Sequence, residues 1–416
     1  MATWRFIFIP CGSMVTLSAR KSLECRRECL YSLQVEIKEY RYQGSKTIVS
    51  VIHRGHPWIH RDALSSAVDA IPPASLVRIV DGQNHFAAHA IYEPHGSIAM
   101  RILLSQDPFS VDQLQNRLLR LINKKMQKKG ESEAFRLING EGDVFPGLTC
   151  DVYGTMLVWQ PYLQFWDALL PALAETAQIA MVLDRHIVRP PTHRRMAPYM
   201  LKGEEPAEPV VFSENGTKLC AWPLTGQKSG FFLDLKEVRL LLPDIVKGRS
   251  VLNCFANTGA FSLIARHRGA GRILSLESDA GCQKMAAAQM EANGHTLPAD
   301  EWKTADVFDM LPHVVASGQK FDVVIIDPPN MCTKKSSLAP ALKGWEKLLR
   351  LGTEVLGADG RIVAINCSSF MSKKLCDDAV KELKLKTERF GGLPADHTVR
   401  KNFPEGDYLK WWLYTK

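Results

Sequence analysis

The stretch VLNCFANTGAFSLIARH, residues 251–267, decides the fold of the C-terminal half of the chain. Its apolar start, residues 251–255, predicts a strand, and residues 259–267 predict a helix after a turn that contains a glycine. The alternation continues downstream, with strands at 273–277, 323–327 and 362–367 and a helix at 280–293. Short apolar runs that alternate with helical patterns predict an α/β fold built on a doubly wound parallel sheet.

Two further segments lie at the N-terminal end. Residues 46–104 predict a small β-rich domain, because short β-like runs are separated there by turn residues, at 47–52, 76–80, 86–92 and 98–104. Residues 1–45 are interpreted as an N-terminal extension, which is either a targeting peptide or a disordered segment.

Residues 105–205 predict a central α+β domain that includes a linker at 196–209 into the last domain, 206–416. The central domain begins with a helix at 111–127, whose apolar face is formed by Leu114, Leu118, Leu121 and Ile122. The other face is basic, with Arg117, Arg120, Lys124, Lys125, Lys128 and Lys129. A solvated helix surface and an RNA-facing patch both explain these charges.

Composition narrows the class of protein. The chain has 416 residues, of which 46% are hydrophobic and 23% charged, and this excludes collagen-like and mostly disordered classes. No apolar run approaches the roughly 18 residues that span a bilayer, so we expect no membrane association. Fifty-two Lys and Arg against 44 Asp and Glu leave a net charge of +8, which is compatible with a nucleic-acid partner and with an ordinary enzyme.

Ten cysteines are scattered along the chain and form no dense disulfide framework. Cys25 and Cys29 have the spacing of metal ligands, but no second Cys or His pair follows them at finger spacing, so we predict no metal site. The pattern favours reduced thiols and a cytoplasmic location, with organellar targeting by residues 1–45 left open.

The turn after residue 255 has features of a nucleotide site. Phe255, Thr258 and Gly259 lie between the predicted strand and helix, and the turn lacks the three glycines of a dinucleotide fingerprint. Glu277 ends the next strand, where a carboxylate can accept hydrogen bonds from two ribose hydroxyls. Asp306 and Val307 supply an acid and an apolar group suited to an adenine ring. The combination fits S-adenosylmethionine better than NAD.

Two further strand ends supply reactive groups. Asp327 begins the turn Asp-Pro-Pro-Asn, in which two prolines stiffen the backbone at the mouth of the sheet and suit base recognition. Cys367 closes the following strand at the same edge. A thiolate that adds to C6 of cytosine makes C5 nucleophilic toward a methyl sulfonium, while Asp327 holds the base edge. The alternatives are a rigid loop at Asp327 and a structural thiol at Cys367.

Several stretches together resemble one known family, the PUA-containing large-subunit ribosomal RNA cytosine-C5 methyltransferases. The resemblance runs from about residue 46 to residue 416, and it rests on RGHPWI (54–59), RLINGEGD (136–143), FPGLT (145–149), GFFLD (230–234), VLNCF (251–255) with TG (258–259), DPP (327–329), CS (367–368), ADH (395–397), PEG (404–406) and YLK (408–410). It implies a PUA domain at 46–104, a central α+β domain and a Rossmann-like class I methyltransferase domain.

The resemblance also implies roles for single residues. Cys367 is expected to be the nucleophile and Asp327 the acid that holds the base. The methyl donor, S-adenosylmethionine, is expected to contact Phe255, Thr258, Gly259, Glu277, Asp306 and Val307. The implied partner is RNA of the large ribosomal subunit, and the sequence leaves a monomer and a homodimer open.

The chain departs from the family at two places. Leu235 and Lys236 stand where the family has Gln and Arg, and Asn330 stands where it often has Lys. Cys332 lies two positions beyond the site at which other RNA cytosine methyltransferases place a second cysteine, and it is interpreted as structural. Two alternative functions remain: methylation of a base nitrogen, which needs no thiol, and an RNA-binding or ribosome-assembly factor that has lost catalysis.

Overall fold

A computed structural model of the protein describes residues 37–103 and 106–416. The first domain is a five-stranded sheet with strand order β1-β3-β4-β5-β2, in which β1 runs parallel to β3. One helix packs against it. The elements are β1 (Glu39–Gln43), α1 (Lys46–His53), β2 (Trp58–His60), β3 (Leu76–Val80), β4 (Phe86–Tyr92) and β5 (Ile98–Leu103).

Two predictions for this region were wrong. Residues 47–52 are rich in β-branched side chains and were expected to form a strand, yet they lie in α1. This helix begins after Ser45, whose side chain accepts a hydrogen bond from the Ile48 amide. Strand β1 lies inside the predicted extension 1–45, so residues 39–43 belong to the first sheet. The rest of that prediction, residues 1–36 with Cys25 and Cys29, lies outside the described residues, as does Leu104.

The central domain is a second five-stranded sheet, with order β10-β9-β8-β7-β6, covered by two helices. Its elements are α2 (Val111–Lys128), β6 (Ala134–Asn139), β7 (Leu148–Tyr153), β8 (Met156–Pro161), α3 (Leu170–Met181), β9 (Arg185–Val188) and β10 (Tyr199–Lys202). The predicted linker at 196–209 is therefore partly wrong, because β10 lies within it and pairs with β9.

The structure confirms the predicted apolar face of helix α2 and corrects the predicted basic face. Leu114, Leu118, Leu121 and Ile122 are buried, as expected. Lys125, however, is fully buried, and its ammonium group lies 2.8 Å from Asp143 Oδ2. Arg117 is half-buried and donates to the carbonyl of Val144 at 2.7 Å. Helical spacing assigns these residues to one face, but it does not tell which of them another segment covers.

The last domain contains a seven-stranded sheet with order β15-β14-β13-β16-β17-β19-β18, preceded by a hairpin. Its elements are β11 (Val210–Glu214), β12 (Thr217–Ala221), α4 (Lys236–Leu241), α5 (Pro243–Val246), β13 (Val251–Cys254), α6 (Ala260–His267), β14 (Ile273–Glu277), α7 (Ala280–Ala292), β15 (Trp302–Thr304), α8 (Val307–Ala316), β16 (Phe321–Ile326), α9 (Leu338–Glu354), β17 (Leu356–Asn366), α10 (Lys373–Val380), β18 (Lys386–Gly391) and β19 (Lys410–Thr415).

The predicted alternation of strands and helices is confirmed in this sheet. Strands β13, β14, β15, β16 and β17 are parallel, and β19 inserts antiparallel between β17 and β18. The strand order reverses at β13, which pairs with β14 on one side and with β16 on the other. Ligands of such sheets bind outside the carboxyl ends of the strands at this switch point. Among the described residues, no helix has the length and apolar content to cross a membrane.

Candidate active site

A cavity of about 930 Å³ opens at the carboxyl ends of β13, β14, β16 and β17. The central domain contributes to its wall through residues such as Arg136 and Gln160, and the first domain contributes Arg101. Seven of the eight predicted site residues line this cavity, namely Phe255, Thr258, Glu277, Asp306, Val307, Asp327 and Cys367. Gly259 does not line it.

The turn between β13 and α6 has a strained backbone. Phe255, Asn257 and Gly259 have φ angles of 63°, 47° and 76°, all in the left-handed region. A Cβ on Gly259 would lie 2.8 Å from the Cβ of Ala286 in α7. The glycine therefore lets α6 and α7 pack closely, whereas the sequence interpretation assigned it to backbone approach toward a ligand.

Glu277, at the end of β14, is fixed by three hydrogen bonds. Its Oε2 accepts from the Asn257 amide at 2.7 Å, and its Oε1 accepts from the Asp279 amide at 3.0 Å and from the Ser278 hydroxyl at 3.2 Å. A carboxylate has about four acceptor positions, so this one retains acceptor capacity toward the cavity. The geometry suits a ribose diol, as the sequence predicts.

An apolar slot lies beside this carboxylate. The rings of Phe255 and Phe308 meet edge to face, with centroids 5.9 Å apart, and Val307 lies next to Phe308. Asp306 caps α8 by accepting from the Phe308 amide at 2.7 Å, so one of its oxygens is used structurally. Aromatic edges beside a fixed carboxylate fit a ligand that carries a flat ring on a ribose.

Asp327 and Cys367 lie at the ends of neighbouring strands, because β16 and β17 pair in parallel with Ile326 opposite Ala364. Burial and the nearby carboxylate of Asp234 raise the pKa of Asp327 to about 7. Burial and the carboxylate of Asp327 raise the pKa of Cys367 to about 11. The Cys367 thiol lies 3.9 Å from the carbonyl oxygen of Pro328. It is the least buried cysteine among the described residues.

Cys332 is fully buried and does not line the cavity. Its Sγ lies 3.4 Å from the carbonyl oxygen of Lys334 and 3.9 Å from the hydroxyl of Ser337. These contacts are those of a structural thiol.

One family model, described as S-adenosylmethionine-dependent methyltransferase, matches residues 148–387. The chain belongs to the S-adenosylmethionine-dependent methyltransferase family. A second model, described as a PUA-like domain, matches residues 46–104 of this methyltransferase. S-adenosylmethionine is therefore its cofactor, and the fixed Glu277 and the slot between Phe255 and Phe308 fit the ribose and adenine of that molecule.

The methyltransferase is similar to two bacterial proteins over most of its length. It is 30% identical over 395 residues to the ribosomal RNA large subunit methyltransferase of Deinococcus radiodurans, covering 89% of this chain and 96% of that protein. It is 31% identical over 377 residues to the ribosomal RNA large subunit methyltransferase I of Photobacterium profundum, covering 86% of this chain and 95% of that protein.

Two solved structures share the fold of this methyltransferase. One is a methyltransferase complexed with SAH, with a TM-score of 0.80, 21% identity, and coverage of 91% of this chain and 100% of that chain. The other is a SAM-dependent methyltransferase from Streptococcus mutans, with a TM-score of 0.79 and the same identity and coverage. They support the predicted Rossmann-like fold with its N-terminal PUA-like domain.

Sequence reasoning missed a second group of polar residues in the methyltransferase cavity. Lys228 Nζ lies 2.6 Å from Asp234 Oδ2, and the hydroxyl of Tyr408 donates to the same oxygen at 2.7 Å. Behind them, Arg136 pairs with Asp151, and Ser229 donates to Asp151. Arg136, Asp234 and Tyr408 lie in stretches that carry the family resemblance, and this resemblance was the signal that could have found them.

The departures from the family pattern have local partners in this methyltransferase. Leu235 is buried in the main core of the last domain, and Lys236 donates to the carbonyl oxygen of Lys129 at 2.6 Å. Asn330 accepts a hydrogen bond from the Cys332 amide at 3.0 Å and so stabilises the turn after Pro329. These residues are integrated in the fold. The roles of the predicted site residues stay predictions.

Proposed function

We propose that this methyltransferase forms 5-methylcytosine in RNA, in particular in ribosomal RNA of the large subunit, through a covalent adduct at Cys367. The observation that carries the proposal is the pairing of a half-buried thiol, Cys367, with a half-buried acid, Asp327, at adjacent strand ends in one cavity. The fixed Glu277 and the aromatic slot occupy the same cavity, and so favour a methyl donor beside the thiol.

Cys367 acts first in this mechanism. Its thiolate adds to C6 of the cytosine, which breaks the aromaticity of the ring and makes C5 enamine-like. S-adenosylmethionine, when bound, supplies an electrophilic methyl group, and C5 accepts it. Transfer of the C5 proton to a base then breaks the bond between C6 and sulfur, which expels the Cys367 thiolate, restores the aromatic ring and frees the product.

Asp327 assists the addition by holding the edge of the base. Electrons flow toward N3 as the thiolate adds, so a carboxyl group that donates a hydrogen bond to N3 stabilises the adduct. A pKa of about 7 lets Asp327 carry that proton near neutral pH. An aspartate with an ordinary pKa would be ionised there and would not donate.

The substrate class follows from the relatives and from the first domain. Both relatives that we compared are described as large-subunit ribosomal RNA methyltransferases, and the chain covers nearly their full length. The match of residues 46–104 to a PUA-like domain adds an RNA-binding module. We therefore propose RNA, and not free nucleotides or DNA, as the substrate.

The test compares ribosomal RNA methylated by the wild-type protein and by Cys367→Ala. Nucleoside mass spectrometry identifies the product, and bisulfite mapping locates it. We expect 5-methylcytosine with the wild-type protein and none with the variant, while calorimetry shows S-adenosylmethionine binding by both. Cys332→Ala is the matched control, because this thiol lies outside the cavity, and it should retain methyl transfer.

Two results would overturn the proposal in different ways. A methyl group on a base nitrogen, formed equally well by Cys367→Ala, would assign the chain to nitrogen methylation. A wild-type protein that binds RNA but does not bind S-adenosylmethionine would assign it to the class of ribosome-assembly factors without catalysis.

A further inference from the structure

Lys228 places a positive charge in the cavity that holds Cys367 and Asp327. Its ammonium group lies 2.6 Å from Asp234 Oδ2 and 4.2 Å from the centroid of the Phe232 ring. The side chain is 37% exposed, whereas that of Asp234 is 4% exposed. Both residues line the cavity, and the cation is the more exposed member of the pair.

The local structure holds Lys228 in this place at a conformational cost. Its φ angle is +50°, a left-handed conformation that is strained for a residue with a side chain. Tyr408 donates to the same carboxylate oxygen of Asp234 at 2.7 Å and so keeps Asp234 oriented. Backbone strain of this kind persists when surrounding contacts stabilise it, and it is concentrated at functional sites.

Two negatively charged residues and one positively charged residue act on the Cys367 thiol. Asp327, at the end of β16, and Asp234 both act to raise the pKa of the thiol, and Lys228 acts to lower it. Lys410, on β19, donates to the backbone carbonyls of Ser368 and Asp407.

Two more titratable groups face Asp234 from the segment before β19. His397 is buried and hydrogen-bonds Asp396, and Tyr408 bonds Asp234 itself. Three arginines also line the cavity, and each has its own carboxylate partner: Arg101 pairs with Glu141, Arg136 with Asp151 and Arg239 with Glu214. Lys228 is the cation of the described cavity wall whose charge acts to lower the pKa of the thiol.

We infer that Lys228 is a positioning residue for Cys367: its ammonium group, oriented by Asp234, stabilises the thiolate that forms when the thiol loses its proton to solvent. This inference rests on the proposed function, because a thiolate is needed only if Cys367 is the nucleophile. The two members of the ion pair then act on the thiol in opposite directions. Lys228 lowers the pKa of the thiol, and Asp234 raises it while holding Lys228.

Alkylation of Cys367 by iodoacetamide tests this directly, since the thiolate is the reacting form. The rate is measured against pH by mass spectrometry of the Cys367 peptide, without RNA or methyl donor. Far below the pKa of the thiol, each pKa unit changes the thiolate fraction about tenfold. We expect Lys228→Met to slow alkylation at pH 8 by about tenfold and Lys228→Arg to restore it to within about threefold.

Asp234→Asn separates this role from a merely structural one. It removes a negative charge near the thiol and releases Lys228 from its ion pair, so alkylation should become faster. Loss of a structural ion pair would instead change the rate in the same direction in Lys228→Met and in Asp234→Asn, and that result overturns the inference. An unchanged pH profile in Lys228→Met overturns it as well. Lys284→Met, an exposed position on α7, is the matched control.

Methyl transfer supplies the second readout. Lys228→Met should lower kcat and shift the pH profile to higher pH, with the KM for RNA within about twofold of the wild-type value. A raised KM with unchanged kcat would make Lys228 a phosphate contact and overturn the inference. Because alkylation needs no methyl transfer, failure of the inference is distinguishable from failure of the proposed function, which shows as a wild-type protein that forms no 5-methylcytosine.

Discussion

The raised pKa that the proposed mechanism requires of Asp327 lowers the stability of the folded protein at high pH. Asp327 is half-buried at the end of β16, and its pKa is raised from 3.8 to about 7. Between pH 4 and 7 the folded state binds the proton more tightly than the unfolded chain does, so the free energy of unfolding falls as pH rises through this window. At pH 8 the ionised group destabilises the fold by up to about 4 kcal/mol.

Asp327→Asn is therefore expected to be more stable than the wild-type protein at pH 8 and inactive in methyl transfer. The gain should shrink as pH falls below 7 and disappear below about pH 3, where Asp327 is protonated in both the folded and the unfolded state. Urea denaturation at several pH values measures it.

Asp322→Asn, on the same strand, is a control of opposite sign. Hydrogen bonds from the amide and hydroxyl of Ser250 lower the pKa of Asp322, so its charge stabilises the fold at pH 8. Its replacement should destabilise the protein there. A stability profile of Asp327→Asn that is parallel to the wild-type profile would contradict the assignment of a raised pKa to Asp327.

At the residue scale, the sequence predicted the groups that end strands and missed those that approach from elsewhere. Asp327 and Cys367 follow apolar runs, and parallel strands bring their carboxyl ends to one edge. Lys228 and Asp234 precede the sheet and lie in a loop and a short turn, so no periodicity assigns their side chains to the cavity. Their contact with the site depends on tertiary packing.

At the scale of elements, α1 shows where local propensity fails. Residues 47–52 are rich in β-branched side chains, which favour strands, but the capping hydroxyl of Ser45 and the burial of Ile48 select a helix. In the last domain the four predicted strands and two predicted helices are present, because strands buried on both faces and amphipathic helices have distinct patterns, but the other elements of that domain were not predicted.

Gly259 allows a prediction about two packed helices. Gly259→Ala should lower the free energy of unfolding by about 1–3 kcal/mol, because alanine is strained at a φ of 76° and its Cβ would meet Ala286. The shift of α6 should also weaken S-adenosylmethionine binding in calorimetry.

Adding Ala286→Gly to this variant removes the steric contact and leaves the backbone strain. The double variant should therefore recover part of the lost stability, after the separate effect of Ala286→Gly is subtracted in a double-mutant cycle. Additive effects of the two substitutions would show that the contact between α6 and α7 is not what requires glycine.

At the scale of the whole molecule, Lys125 joins the central domain to the last one. Its ammonium group contacts Asp143, the hydroxyl of Thr398 at 3.0 Å and the carbonyl oxygen of Asp396, and the Arg136 amide donates to Asp396 Oδ2 at 2.9 Å. The contact partners are separated by up to 273 residues in sequence. The same junction forms part of the wall of the cavity, because Thr398 and Arg136 line it.

Lys125→Met should destabilise the protein by about 3–5 kcal/mol, because it leaves the buried carboxylate of Asp143 without its partner. Lys125→Met combined with Asp143→Asn removes both charges and should be more stable than the single variant. Lys124→Met, the exposed neighbour on α2, should have little effect. Chemical denaturation measures the free energy of unfolding of all three variants. Equal values for Lys124→Met and Lys125→Met would exclude the junction as a source of stability.

The structure separates the basic residues that are exposed from those that bind other groups of the protein. Of the predicted positive charges of α2, Arg120, Lys124 and Lys128 are exposed and recur every four residues, so they share one face. Elsewhere in the central domain, Arg194 pairs with Asp167 and Arg189 binds backbone carbonyls, so these two positive charges are structural. The sequence could count these charges but could not separate the two groups.

If the exposed face of α2 contacts RNA, replacing Arg120, Lys124 and Lys128 by Gln should weaken RNA binding and flatten its dependence on salt. Each lost phosphate contact reduces the slope of log K against log salt by about 0.7–0.9. The control replaces Lys381, Lys384 and Lys386, near the edge strand β18, and removes the same charge. Binding titrations at several salt concentrations that give equal slopes for both triple variants would argue against contact with RNA through α2.

Strand β19 has a consequence for how the protein is made. It is synthesised after β17 and β18, yet it lies between them and pairs with both. Until residues 410–415 leave the ribosome, β17 has no partner on that side, and its backbone donors and acceptors stay available to other chains. The nascent methyltransferase domain is therefore exposed to misassembly late in translation, and we expect it to need protection by chaperones at that stage.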